Sequence, residues 1–261
     1  DVHCDQYPYT AGTNPLRNLL PIWVQAGGID AMLERLGDTE AIEGMRADIL
    51  RDGLTNFGRV SSWDAVRIAI SPNQPEIPGL SIDEVATQRS CDPLQAACDI
   101  LLADQGHTRI VVTSMSEDDV QEILRSPMVM VGSDGNSLAI HGITSQGIPH
   151  PRFYGTFARV LGRYVRELGI LSLPLAIHKM TGGSADALRM VERGKLLEGN
   201  WADITVFDPD QIGEMATYDD PHQYATGIST VIVNGKVVID GGEHTGETPG
   251  KVLRRGTQGV A

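Results

Sequence analysis

The sequence predicts an α/β fold, and three observations carry that prediction. Two apolar, β-branched runs, residues 109–114 and 128–131, flank a helical stretch opened by Ser116; this is the pattern of a βαβ unit, and hence of a parallel sheet. Residues 16–105 read as mostly helical, by the recurrence of apolar residues at helical spacing. From Gly194 onward short β-rich runs take over, at 202–207, 229–234 and 236–240. With 261 residues and 41% hydrophobic composition, the chain can bury one large core or two smaller ones.

Taken in order, Asp1-Val2-His3-Cys4-Asp5 reads as a strand met partway along, without an initiating Met, which suggests a fragment or a processed chain. The strand ends in Tyr7-Pro8-Tyr9, since proline sits at strand ends and edges. Helical periodicity covers 30–36, 39–52 and 81–90, with a Pro-rich loop at 73–79. Ser81 followed by Glu84 fits a capping box. So long an excursion between β runs reads as an insertion, about residues 13–105, at the mouth of a barrel. Glu117, Asp118 and Asp119 follow Ser116, where the helix dipole favours acids. The 128–131 run stops at Gly132-Ser133-Asp134-Gly135. A loop at 136–151 leads to an amphipathic helix at 156–168 and another helix at 173–180. Gly182-Gly183-Ser184 reads as helix termination, because a phosphate cradle needs a preceding strand and a lysine. Val233-Asn234-Gly235-Lys236 is a hairpin signal, as Asn-Gly tolerates the positive φ of a type I′ turn. A domain boundary falls near 190–195, giving units 1–192 and 193–261.

A net charge of −13 with no basic stripe argues against a nucleic-acid partner. No apolar run is long enough to span a bilayer, so no membrane partner is expected and the chain reads as cytoplasmic. Three cysteines, Cys4, Cys91 and Cys98, are an odd and irregularly spaced set, which does not describe a disulfide framework.

In parallel barrels the chemistry sits at the carboxyl ends of the strands. Asp134 follows such an end, so its carboxylate is a candidate general base or metal ligand; the alternative is a cap of the following turn. Arg152, in His150-Pro151-Arg152, carries a fork suited to a carboxylate, or else a surface ion pair. Tyr7 and Tyr9 offer phenols at another strand end, with core packing as the alternative. Ser133 and His150 complete the candidate substrate-binding set. The seven histidines include no His-x-His pair and no HExxH, so no metal site is expected among them.

Several blocks together resemble the N-acyl-D-amino-acid deacylase (D-aminoacylase) family of zinc-dependent amidohydrolases. They are Asp5-Gln6-Tyr7-Pro8-Tyr9, Gly132-Ser133-Asp134-Gly135, the run from His150-Pro151-Arg152-Phe153-Tyr154-Gly155 to Gly162, Lys179-Met180-Thr181, and Ala202-Asp203-Ile204 to Pro209. Pro221-His222-Gln223, Val233-Asn234-Gly235 and the run from Thr245 to Leu253 continue the match in order. The resemblance implies the C-terminal part of a (β/α)8 TIM barrel with a helical insertion, plus a small β-sandwich built from both chain ends. It implies that Asp134 is the general base and acid beside a zinc-bound water, or a ligand to a second metal. It also implies that Arg152 binds the α-carboxylate of a small N-acyl-amino-acid substrate, with Tyr7 assisting. The Zn2+ ligands of the family match nothing here and are expected upstream of Asp1. Two rival readings stay open: a cyclic-amide amidohydrolase of the dihydroorotase or hydantoinase kind, and a non-catalytic half-barrel that pairs with a missing N-terminal half or with a second copy of itself.

Overall fold

A computed structural model describes residues 2–55 and 59–253; Asp1 and the last residues of the 193–261 unit lie outside them. The chain begins with β1 (Cys4–Gln6), β2 (Ala11–Pro15), α1 (Ile22–Gln25), α2 (Ile29–Leu36) and α3 (Thr39–Asp52). The short strands β3 (Leu54–Thr55) and β4 (Arg59–Val60) precede β5 (Val66–Ile70), α4 (Ile82–Arg89), α5 (Pro93–Ala103) and β6 (Arg109–Thr113). Then come α6 (Glu117–Arg125), β7 (Val129–Val131), α7 (Arg152–Arg159), α8 (Leu173–Met180) and α9 (Gly182–Leu188). The tail holds β8 (Ile204–Phe207), β9 (Ile228–Val233), β10 (Lys236–Asp240) and β11 (Glu243–His244).

Local chemistry starts most of the helices. Asp38 accepts from the Glu40 and Ala41 N–H groups at α3, Asp92 from Leu94 and Gln95 at α5, and Ser116 from Asp119 at α6. The expected capping box closes at α4: Ser81 Oγ accepts from Glu84 N at 3.1 Å, and Glu84 Oε2 accepts from Ser81 N at 2.7 Å. Such caps are typically worth about 1 kcal/mol each. Helix α7 begins at Arg152, one turn before the expected amphipathic helix, and continues as π turns over Val160–Glu167. The Gly182-Gly183-Ser184 stretch does not terminate a helix as expected: α8 stops at Met180, Thr181 interrupts the helical run, and the stretch itself opens α9.

The sheets require one correction. A parallel pair exists, but the partner of β7 is β1, in the register Cys4↔Val129, Asp5↔Met130, Gln6↔Val131. The 109–114 run is not parallel to it. As β6 it is the central strand of an antiparallel sheet ordered β2-β6-β5. This strand is covered on both faces, by Ile110 and Val112 packing into one cluster and Val111 into another, so its sequence is as continuously apolar as that of a parallel strand, and the pattern cannot separate the two. Ile110, Val111 and Val112 are all buried. β5 lies within the stretch read as mostly helical and escaped the sequence reading. The tail forms an antiparallel sheet ordered β11-β10-β9-β8. Its hairpin turns at Asn234 and Gly235 with φ of 48° and 78°, the two positive values a type I′ turn needs.

The apolar interior has two large clusters, one drawn from Leu16 to Val112 and another from Val120 to Ile212, with Phe207 and Ile228 of the tail sheet packed on the second, and a small third one of Ala11, Ala69 and Val111. Asp104, 1% exposed at the end of α5, is the polar knot of the first. Its carboxylate accepts from Ser71 Oγ at 2.7 Å, Thr108 Oγ1 at 2.6 Å and Asn73 N at 3.0 Å. Asp104→Ala strands those donors and is expected to cost about 3 kcal/mol, read as a lower urea midpoint with an unchanged slope.

Candidate active site

The parallel register does the first work of assembly. Because Gln6 and Val131 are partners, and Gly132 N donates to Gln6 O at 3.1 Å, both strands end at one level. The residues just beyond, Tyr7 on one side and Ser133 and Asp134 on the other, share that lip. Gly132 leaves room there for the Asp5 carboxylate, whose Oδ2 would lie 2.5 Å from a Cβ on it. The reversal after β7 is made by Asp134 itself, at φ 46°. The flanking glycines do not supply that conformation, contrary to what the motif suggests. Asp and Asn tolerate this left-handed region better than other side-chain-bearing residues. Ser133 Oγ accepts from Gly135 N at 3.2 Å, which ties its oxygen to the turn and leaves its O–H as a donor.

Arg152 comes to the same lip from the first turn of α7. Its side chain is 5% exposed, and Nη2 lies 2.7 Å from Asp134 Oδ2, whose own side chain is 69% exposed. The guanidinium lies over the Tyr7 ring at 4.6 Å from the centroid and near the Phe153 ring at 5.6 Å. Its Nε is buried with no hydrogen-bond partner. The site thus joins a fixed cation, an aromatic face beneath it, and an open carboxylate that keeps one oxygen for other work.

His150 is fully buried. Its Nδ1 accepts from Arg152 N at 3.0 Å, so Nε2 carries the proton and donates to Ala11 O at 2.9 Å. Tyr9 and Tyr218 meet the ring edge-on, with centroids at 5.0 and 5.1 Å. With both nitrogens engaged it has no surface to offer a ligand; it fixes the first turn of α7 on β2. Burial pushes its pKa down to about 3, helped by the charges of Arg152 and Arg159.

Tyr7, Asp134, Ser133 and Arg152 are therefore brought together, with His150 behind them. The sequence reading missed Glu214. It lies in a stretch without helix or strand, accepts from the Tyr9 phenol and pairs with Arg159 Nη1 at 2.9 Å. Nothing local marks it out. Among the described residues no group of three or more His, Cys, Asp or Glu is arranged to hold a metal ion. Asp134 offers a carboxylate but no companion donors, so a resident zinc does not fit these residues alone. Cys4, Cys91 and Cys98 are free thiols. Among the described residues no helix is long and apolar enough to cross a membrane.

Parallel strand ends carrying an open carboxylate beside a buried guanidinium, with antiparallel sheets and helices around them, define a mixed α/β protein. The model of the amidohydrolase family matches residues 24–239, and the chain belongs to that family. It is 38% identical over 197 residues to the N-acyl-D-glutamate deacylase of Alcaligenes xylosoxydans xylosoxydans, covering 76% of this chain and 38% of that protein. The crystal structure of N-acyl-D-glutamate deacylase from Bordetella bronchiseptica, complexed with zinc and a phosphonate mimic of the tetrahedral intermediate, is similar with a TM-score of 0.67 and 32% identity. That match covers 92% of this chain and 41% of the other. A D-aminoacylase crystal structure matches with a TM-score of 0.71 and 32% identity, over 98% of this chain and 43% of its own. The chain thus spans about two-fifths of the length of these relatives.

His150 gives a pH signature with a definite sign. Unfolded, the imidazole titrates near 6.5; folded, it stays neutral down to about 3. Its contribution to stability is complete above pH 6.5 and is lost progressively as pH falls through that window. Urea midpoints measured from pH 7 to pH 3 are expected to decline, and His150→Gln to decline less steeply between pH 6.5 and 5, above the range in which ordinary carboxylates titrate.

Proposed function

We propose that this chain serves the hydrolysis of the amide bond of N-acyl-D-amino acids, releasing a carboxylate and a free D-amino acid. The observation that carries the reading is the buried Arg152 guanidinium, lying on Tyr7 and 2.7 Å from the Asp134 carboxylate. The names of the relatives support the substrate class. On this reading Arg152 binds the substrate α-carboxylate through its fork, with the unpartnered Nε as one donor. The Tyr7 ring keeps the guanidinium flat, and its phenol adds a polar contact to the substrate. Ser133 shapes the turn that aims Asp134, and His150 sets the start of α7. Asp134 takes a proton from the attacking water and returns one to the leaving amine. Anchoring the carboxylate fixes which face of the amide meets the water, so stereoselectivity would come from the orientation of that anchor relative to the metal-activated water. Zinc enters this proposal only through the zinc-bound relative, with ligands from outside the described residues.

We infer in the same way that β1 and β7 are neighbouring strands of a (β/α)8 barrel, with residues 1–192 as its C-terminal part. The parallel register and the match to D-aminoacylase over 98% of the chain support this. Residues 13–105 are then the insertion, held at its two ends by β2 and β6 of one sheet. Residues 193–261 are then part of a β-sandwich, of which β8 to β11 are one layer.

In the enzyme that contains this chain, Asp134→Asn keeps the left-handed turn and is expected to lower kcat by about 10²- to 10⁴-fold with substrate binding retained. Arg152→Ala is expected to act chiefly on KM, by roughly 10- to 100-fold, the worth of a charge-assisted bond. Steady-state rates with an N-acetyl-D-amino acid, its L enantiomer and a hydantoin are the measurement. Preference for the hydantoin, or normal turnover by Asp134→Asn, defeats the assignment.

A further inference from the structure

Glu214 is the least expected feature near the site. It comes from an irregular stretch, yet its side chain is only 10% exposed. Both carboxylate oxygens are used: Oε1 accepts from the Tyr9 phenol, and Oε2 pairs with Arg159 Nη1 at 2.9 Å. Tyr9 is 1% exposed; burial and then the charge of Glu214 push its phenol pKa up, so it remains the donor. Arg159 extends the contact, with Nε donating to Pro8 O at 2.7 Å and Cζ standing 4.8 Å over the Tyr9 ring. A carboxylate removed from water is costly unless fully paired, and here it is.

The backbone of α7 closes the other side of this seat. Gly155 lies one turn beyond Arg152, and a Cβ there would stand 2.5 Å from Glu214 Cγ and Oε1. Glu214 is thus wedged between the Tyr7-Pro8-Tyr9 segment and the first turns of α7. Those are the two segments whose side chains stack as Tyr7 and Arg152. A single cation–π contact supplies about 0.5–2 kcal/mol, too little to align two segments so far apart in sequence.

We propose that Glu214 is a positioning residue for the site: through Tyr9 and Arg159 it sets the Tyr7-Pro8-Tyr9 segment against α7 and so holds Arg152 on the Tyr7 ring. This rests on the reading of Arg152 and Tyr7 as the carboxylate anchor, but the geometric claim can be tested without turnover.

The test uses the Arg152 Nε–H resonance of the 261-residue chain, assigned by its disappearance in Arg152→Lys. Its shift reports the Tyr7 ring current. In Glu214→Gln, which keeps the side-chain shape but loses the charge, the resonance is expected to move toward that of exposed arginines. In Tyr9→Phe, which removes one hydrogen bond and leaves the packing, a smaller move in the same direction is expected. In the enzyme containing this chain, Glu214→Gln is expected to raise KM for an N-acetyl-D-amino acid roughly tenfold with a smaller change in kcat. An Arg152 resonance unmoved in folded Glu214→Gln overturns the proposal. Should that variant fail to fold, an unmoved resonance in Tyr9→Phe does so. Absence of deacylase turnover tells instead against the substrate reading, and leaves the resonance shift to decide the positioning claim.

Discussion

A guanidinium taken out of water needs an anion within reach and a surface that does not compete for its hydrogens. Arg152 has both, in Asp134 and the Tyr7 ring, and much of the surrounding structure follows from keeping it so. The anion must stand at the end of β7, the ring at the end of β1, and the two ends must be level. Parallel pairing with Gln6 opposite Val131 achieves that; a slip of one residue would turn Tyr7 to the other face of the sheet. The cation arrives from a third segment, whose start is tied to β2 by the two nitrogens of His150. Burial therefore constrains three backbone segments at once, and the buried imidazole of His150 contributes through bonds to backbone alone.

Half-buried pairing also shapes the chemistry. Arg152 is enclosed while Asp134 is open to solvent. The enclosed partner has few rotamers left and acts as a fixed reference. The exposed carboxylate can change hydrogen-bond partners at little cost, as the proton-transfer role proposed for it would require. On the proposed reading, placing the enclosed member on a helix and the exposed one on a left-handed turn would divide recognition from proton transfer between two kinds of backbone.

Much of this was legible along the chain, for reasons that differ by element. That Asp134 and Arg152 are candidates is readable from local cues, a glycine-flanked stop after an apolar run and a fork beside proline and histidine; that they meet is not, since it depends on the β1–β7 pairing and the placement of α7. The capping box at Ser81 and the hairpin at Asn234 were readable because three or four adjacent residues decide them. Strand β6 was found but mispaired, since burial on both faces erases the alternation that would mark an antiparallel strand. β5 was hidden because Val66–Ile70 is short and stands among helices. His150 was grouped with the ligand-facing residues because its block pointed to the site; that its nitrogens turn to backbone is settled by Ala11, far off in sequence. Glu214 left no local trace at all, being defined by Tyr9 and Arg159 from two other segments.

Gly155 shows how such remote constraints can still be written in a motif. Within His-Pro-Arg-Phe-Tyr-Gly it looks like a residue chosen for helix flexibility, although helices disfavour glycine by about 1 kcal/mol relative to alanine. Nor is its φ among the positive ones, so conformational freedom does not explain it. What explains it is the Glu214 carboxylate, which occupies the volume a methyl group would need. The same holds at Gly162, where a Cβ would meet Ile212 O at 2.8 Å as the 211–213 segment passes over the helix. Both absent side chains lie under one irregular segment, so the spacing of glycines along this helix is an imprint of the chain that crosses it. That crossing segment carries Glu214, and the helix accepts a weaker backbone in order to bring a buried carboxylate within reach of Tyr9.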